Sequence, residues 1–431
     1  MHHYLIFTII PLLLMNKIYL VLLTTALPFM FGSCDNGDTK TSRSTVYDVD
    51  IPELLPRPAA LQGAPEWETT QSGYSNMAAS LRLEDQDAIE PRITLAKIFI
   101  NEARVTGEHG HYYPAALNML DEAIQLNHAG PRNSNLEFDA LSAKASVLLS
   151  QHEFQQALQT ANEAVSINPY NAQVYGAIVD ANVELGHYAA AIKAADKMNE
   201  IRPDLRSYSR VSYLREIHGD TEGAIDAMER AVRAGAPGYE STAWARLTLG
   251  GLYERYGQPE KAAQEYSTIL QERPNYPFAI AAQASMAREA GNLEEAEALL
   301  NQAKDIIPEV GYYIQLTEIY KELGRTDEME ATEKEILAML QDDVDSGHNM
   351  DMEYATLYRD HFQDYPKALE YMLDEYAARP ANIDVNRVLA TIYHRMGDDE
   401  RARDHLRKAA ATNSQYPELL RLQDTLGIPM K

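Results

Sequence analysis

Small and apolar residues return along most of this chain with a period near 34. Gly257, Ala262, Tyr266, Ile269 and Pro274 reappear 34 residues later as Gly291, Ala296, Leu300, Ala303 and Pro308. Moving back, Gly186, Ala191, Ala195, Met198 and Pro203 occupy the same places, as do Ala157, Ala161, Ala164 and Pro169. Residues four and seven beyond the key alanine share one face of a helix, so each copy predicts an amphipathic helix. A glycine five residues before the key alanine in six copies ends a preceding helix, because it takes the left-handed conformation at little cost. The alanine is small enough for two helices to approach closely. A proline twelve residues on stops the second helix. Further copies centre on Ala116, Ala224, Met329, Ala368 and Ala402, which gives nine helical hairpins over about residues 85–415. Each hairpin buries its apolar stripe only by stacking on its neighbours, so the pattern predicts an all-α solenoid. Tyr416 to Leu426 reads as a closing helix over the last exposed face.

The recurrence carries a family likeness. Leu249-Gly250-x-x-Tyr253, with Leu316-x-x-x-Tyr320 and Leu389-Ala390-x-x-Tyr393 as fainter copies, resembles the first-helix motif of tetratricopeptide repeats. The resemblance implies a right-handed superhelix whose first helices line a concave, peptide-receiving groove. At first-helix spacing that face carries Arg206, Ser209 and Tyr213, then Trp244, Leu247 and Glu254, then Phe278, and finally Arg387, Thr391 and His394. Arg206, Tyr213, Trp244, Leu247, Phe278, Arg387 and His394 are the candidate partner-binding residues. For Trp244 and Phe278, packing between first helices is an equally open reading. No lysine falls at the places where chaperone-binding repeats hold a carboxylate clamp. Met329, in place of a small residue, and Glu375, in place of an apolar one, mark expected bends, weaker stacking or binding features. So does an inserted loop at Gly107 to Tyr113.

The N-terminus has a different character. Met1 to Leu14 is apolar, Met15-Asn16-Lys17 reads as an alternative start, and Ile18 to Phe31 is the apolar run of a signal peptide. Gly32-Ser33-Cys34 resembles the lipobox of bacterial lipoproteins, with Phe31 where leucine is usual. This resemblance implies removal of residues 1–33, acylation of Cys34 and anchoring in a bacterial envelope, facing the periplasm or the cell surface. A plain N-terminal membrane anchor is the competing reading. Residues 34–80, with Pro52, Pro56, Pro58 and Pro65, read as a flexible tether to a solenoid at 81–431. Trp67 and Tyr74 within it are candidates to dock onto the first helices.

Charge and chemistry narrow the function. The chain carries 38 basic and 64 acidic residues, a net −26, which disfavours nucleic acid and favours neutral or basic protein partners. Cys34 is the sole cysteine, so no intramolecular disulfide forms. No nucleophile elbow, phosphate-cradling loop or dinucleotide fingerprint occurs. His152-Glu153-x-x-Gln156 lacks the second histidine of a zinc site, and His109-Gly-His111 lacks a third ligand. Asp342, Asp343, Asp345 and Asp351 read as a solvated acidic loop rather than a calcium loop. Neither catalysis nor a cofactor or metal is expected. The pattern points to a membrane-anchored interaction scaffold or assembly factor. A ligand- or polysaccharide-binding lipoprotein of a nutrient-uptake system is the alternative, disfavoured by the lack of a large insertion between units.

Overall fold

The turns between paired helices set the geometry of the whole chain. In the computed structural model, which describes residues 47–428, Gly186, Gly219, Gly257, Gly291, Gly324 and Gly397 all have φ between +71° and +82°. Each ends a first helix and releases the chain into a second. The same turn persists where glycine is missing. His152 (φ 63°) and Gln363 (φ 54°) occupy the equivalent positions of the second and eighth hairpins. The repeat therefore imposes a left-handed residue there whatever its side chain.

Eighteen helices pair into nine hairpins, at 89–129, 134–167, 172–201, 205–234, 240–272, 277–306, 310–345, 351–378 and 383–409, called units 1 to 9. They form a right-handed, all-α superhelical solenoid, and no strand occurs among the described residues. Second helices end at Ile167, Ile201, Glu272 and Ile306, each two residues before its proline. The key alanines of eight units, Ala157, Ala191 and Ala262 among them, are fully buried at the hairpin contact. In unit 5 the approach is so close that a Cβ on Gly250 would lie 2.3 Å from the Tyr266 ring. Met329 cannot enter such a contact, and it sits half-buried against the Ile280–Tyr320 cluster. Pro417–Leu426 closes the end by burying Leu419, Leu422 and Leu426.

Several local expectations are corrected. Gly107 to Tyr113 is no loop: helix Ile89–Thr106 ends at Gly107 and helix His109–Ala129 begins at once, with Tyr112 and Tyr113 buried. Asp342, Asp343 and Asp345 form the last turn of helix Thr326–Asp345, and Asp351 opens the next helix. Among the described residues no group of three or more acidic, histidine or cysteine side chains is placed to hold a metal. The signal segment, Cys34 and residues 34–46 lie outside the described residues. No described helix is long and apolar enough to cross a membrane.

The remainder of the expected tether, residues 47–80, is docked. Helix Trp67–Leu83 (α1) packs on unit 1, with Tyr74 against Phe99 at 6.3 Å. Arg57 and Glu102, both fully buried, share a two-pronged ion pair at 2.7 and 2.6 Å, and Arg57 lies 4.8 Å over the Trp67 ring. The arm then crosses to units 5 to 7. Glu66 meets Arg273 at 3.1 Å, Asn275 donates to the Ala60 carbonyl at 3.0 Å, and Leu61 joins Ile280, Ala284 and Tyr312. Proline-rich composition hid this, because single side-chain anchors rather than a periodic stripe hold the segment.

Successive turns of the superhelix touch. The His152 ring bonds the Asn349 carbonyl at 2.7 Å, and the Ile383 amide donates to the Tyr188 hydroxyl at 2.8 Å. Arg379 bridges Glu375 of its own helix and Glu184 of unit 3. Glu375, the polar intruder in unit 8, is thus buried as part of this seam. A Cβ on Gly186 would fall 2.4 Å from the Ala381 carbonyl carbon, whereas one on Gly257 would meet nothing within 4 Å. The two glycines share nearly the same φ, so they separate turn strain from seam contact. Gly257→Ala should cost about 1–2 kcal/mol from the left-handed backbone alone. Gly186→Ala should cost clearly more, read as a lower midpoint in urea unfolding. Equal losses would show that the turns do not touch.

Candidate functional site

The concave face is lined by first helices, and the superhelix is wound tightly enough to make it a lumen. Its N-terminal half is filled by the chain itself. Arg104 of unit 1 reaches a buried ion pair with Glu240 of unit 5, beside the docked residues Ala60, Leu61 and Glu66. Its C-terminal half keeps a partly enclosed cavity of about 200 Å³. First helices Ala172–Glu184, Leu205–Ile217 and Glu240–Arg255 form one wall. Asp351–Asp360, Ile383–Arg395 and the closing helix form the other.

Charges pair within each wall. Arg210, behind the wall, donates from Nε to Asp180 at 2.8 Å, and both are buried. Arg255 of unit 5 meets Glu216 of unit 4, whose carboxylate also accepts from the Tyr256 hydroxyl at 3.1 Å. Arg387 joins Asp384 and Glu418. Tyr416 lies under two cations, 5.6 Å from Arg255 and 5.0 Å from Arg387. Burial pushes the carboxyls of Asp180 and Glu184 above their ordinary range, and Arg210 and Arg379 respectively oppose it. Burial draws Arg255 down, whereas Asp384 and Glu418 overcome desolvation and hold Arg387 firmly charged. Such pairs add little net stability, but removing one partner strands a buried charge.

The candidate groove residues divide. Tyr213 and Arg387 line the cavity. Burial lowers Arg206 to about 10, and it stands near Arg210 at the start of its helix. Trp244 is 9% exposed and belongs to the unit 4–6 core with Leu249, Leu252 and Ile269, against which Leu247 also packs. Phe278 lies between Tyr276 at 5.4 Å and Tyr312 at 6.2 Å, at the junction of two core clusters. His394 bonds Asp399 at 2.8 Å in the turn of its own hairpin. The cavity residues Glu216, Arg255, Glu353 and Tyr416 were not among the candidate partner-binding residues. Glu184 and Arg255 both stand seven residues before their key alanines, a shared phase that marks an inward-facing position.

Two tetratricopeptide-repeat family models match the chain, one at residues 148–215 and another at 217–277. No curated protein sequence matches it. Among solved structures, the Cut9–Hcn1 hetero-tetramer of the APC/C is similar at 13% identity and a TM-score of 0.47, over 84% of this chain. This chain spans 60% of that structure's chain. A thermophilic tetratricopeptide-repeat protein of Thermus thermophilus is similar at 18% identity and a TM-score of 0.38, over 48% of this chain and 99% of its own. PilW, a type IV pilus biogenesis factor, is similar at 17% identity and a TM-score of 0.39, over 48% of this chain and 92% of its own.

The burial of Trp244 decides its role. Trp244→Ala should destabilise the fold by roughly 3–5 kcal/mol, as removal of a buried tryptophan does. Thermal melting monitored by circular dichroism reads this directly. An unchanged melt would return Trp244 to the accessible groove.

Proposed function

We propose that this chain is a membrane-tethered repeat scaffold that receives a segment of a neutral or basic protein partner at the lumen between units 3–5 and 8–9. The observation that carries the reading is the cavity itself, where first-helix residues Tyr213 and Arg387 meet Arg255 and Tyr416 around open space. Tetratricopeptide repeats present such concave faces to protein partners. Arginine and tyrosine are the side chains that most often dominate an interface, through contact area and directional donors. The arm docks against unit 1 and units 5 to 7, and the cavity is the open space offered to a partner. The net charge of −26 steers basic segments toward it.

The tether in this reading is Cys34, acylated after removal of residues 1–33. Several acyl chains, each contributing about 0.8 kcal/mol per buried methylene, hold such a protein stably on a membrane. The docked arm begins by Tyr47, whose amide donates to the Arg82 carbonyl at 2.7 Å, thirteen residues after Cys34 in the sequence. Placement in a bacterial envelope and a role as an assembly factor follow from the same premise.

A photo-reactive phenylalanine analogue at position 213 tests the site, with the exposed Tyr170 position as control. In native membranes, irradiation should yield a discrete partner adduct from 213 and none from 170. Adducts from 170 alone, or from neither, would contradict a lumen site. Mass spectrometry of the mature N-terminus tests the anchor, and an unmodified Cys34 would remove it.

A further inference from the structure

A single carboxylate in the lumen cavity lacks the donor that its neighbours have. Asp180 is met by Arg210, Glu184 by Arg379, Glu216 by Arg255, and both Asp384 and Glu418 by Arg387. Glu353 lines the same cavity and is 7% exposed, yet its Oε2 has no hydrogen-bond partner among the described residues. Arg379, a cation of the same cavity, is already shared between Glu375 and Glu184. Burial holds the Glu353 carboxyl above its ordinary range, with the charge of Glu375 adding to the effect and His152, the hydrogen bond from its own backbone amide and Arg379 opposing it. A buried acceptor left unmet destabilises the fold, and more so when it is charged. A ligand that brings a positive donor recovers this.

The shape of the space says which donor. About 200 Å³ exceeds the roughly 30 Å³ share of one water several times over, so the cavity has room for a side chain. Leu149, Phe154, Met352 and Val388 give it apolar stretches of wall. A single free carboxylate oxygen offers one acceptor, not the two-pronged face that suits a guanidinium. An ammonium is a compact point charge with three rotatable donors on a flexible apolar stem. We propose that the cavity receives a primary ammonium on an alkyl stem, supplied as a lysine side chain of the partner segment, with Glu353 as its counter-charge. This rests on the partner reading above and specifies the chemistry it recognises.

Ligand-observed NMR titration of the full chain with acetyl-Gly-Lys-Gly-amide, the matching norleucine peptide and cadaverine tests it. The lysine peptide should bind wild type, the norleucine peptide should not, and Glu353→Gln should weaken the lysine peptide by about tenfold or more. Glu353→Gln removes an unmet charge, so its melting temperature at neutral pH should equal or exceed that of wild type. Equal binding of the lysine and norleucine peptides to wild type overturns the proposal, whether or not the variant folds. Undiminished binding to a folded Glu353→Gln also overturns it. So does binding of cadaverine without the lysine peptide, which would make the ligand a free amine. Failure here with a persisting adduct from position 213 leaves the partner site standing and removes only the lysine.

Discussion

The contact between successive turns of the superhelix is the constraint on which the rest of this molecule depends. A solenoid of hairpins needs only its nearest neighbours to bury its stripes, and an open spiral would satisfy that requirement. Here the left-handed turn positions of units 2 and 3 lie against the connections that follow units 7 and 8. The sequence separations of 197 and 195 residues correspond to roughly six units of about 34, one turn of the superhelix. Gly186 has no side chain to hold the turns apart, and Glu184, Glu375 and Arg379 fasten them with buried charge. Closing the turns converts a groove into a lumen, and everything proposed about function concerns what that lumen admits.

Closure carries an electrostatic consequence. Polar first-helix residues that would face water in an open spiral are taken out of it, so each needs a partner. Within each wall they find one another, as Arg255 with Glu216 and Arg387 with Asp384 and Glu418, while Arg379 and Glu184 pair between turns. In the N-terminal half the arm supplies the cover, with Glu66 on Arg273 and Leu61 on the units 6–7 cluster. The two halves thus differ in kind. One is sealed by the chain's own residues, and the other retains space and an unmet acceptor.

The hairpins were legible in the sequence because their determinants are local. Glycine at the turn, alanine at the crossing and proline after the second helix each follow from sterics within a few residues. Where a unit lacks the expected residue, the fold holds and a side chain absorbs the difference, as at His152 and Gln363. The seam was not legible, because it depends on small rotations accumulated over many hairpins. Glu375 looked like a fault in an apolar stripe, yet it is the anchor of an inter-turn ion pair. The groove residues were only partly legible for the same reason. Of the residues at first-helix spacing, Tyr213 and Arg387 line the cavity, but the spacing could not tell that Trp244 and Phe278 pack inward. Residues 51–66 escaped notice because they dock through isolated anchors, and composition sees only prolines.

Closure of the superhelix is most directly tested by distance measurement across the seam. Spin labels at Ala190, at the start of the second helix of unit 3, and Ala378, at the end of that of unit 8, report on it by pulsed electron resonance, with Cys34 replaced by serine. A touching seam predicts one short, narrow distance distribution in solution. A long or broad distribution would mean that the turns stand apart, that the groove is open, and that no enclosed lumen exists for a partner to enter.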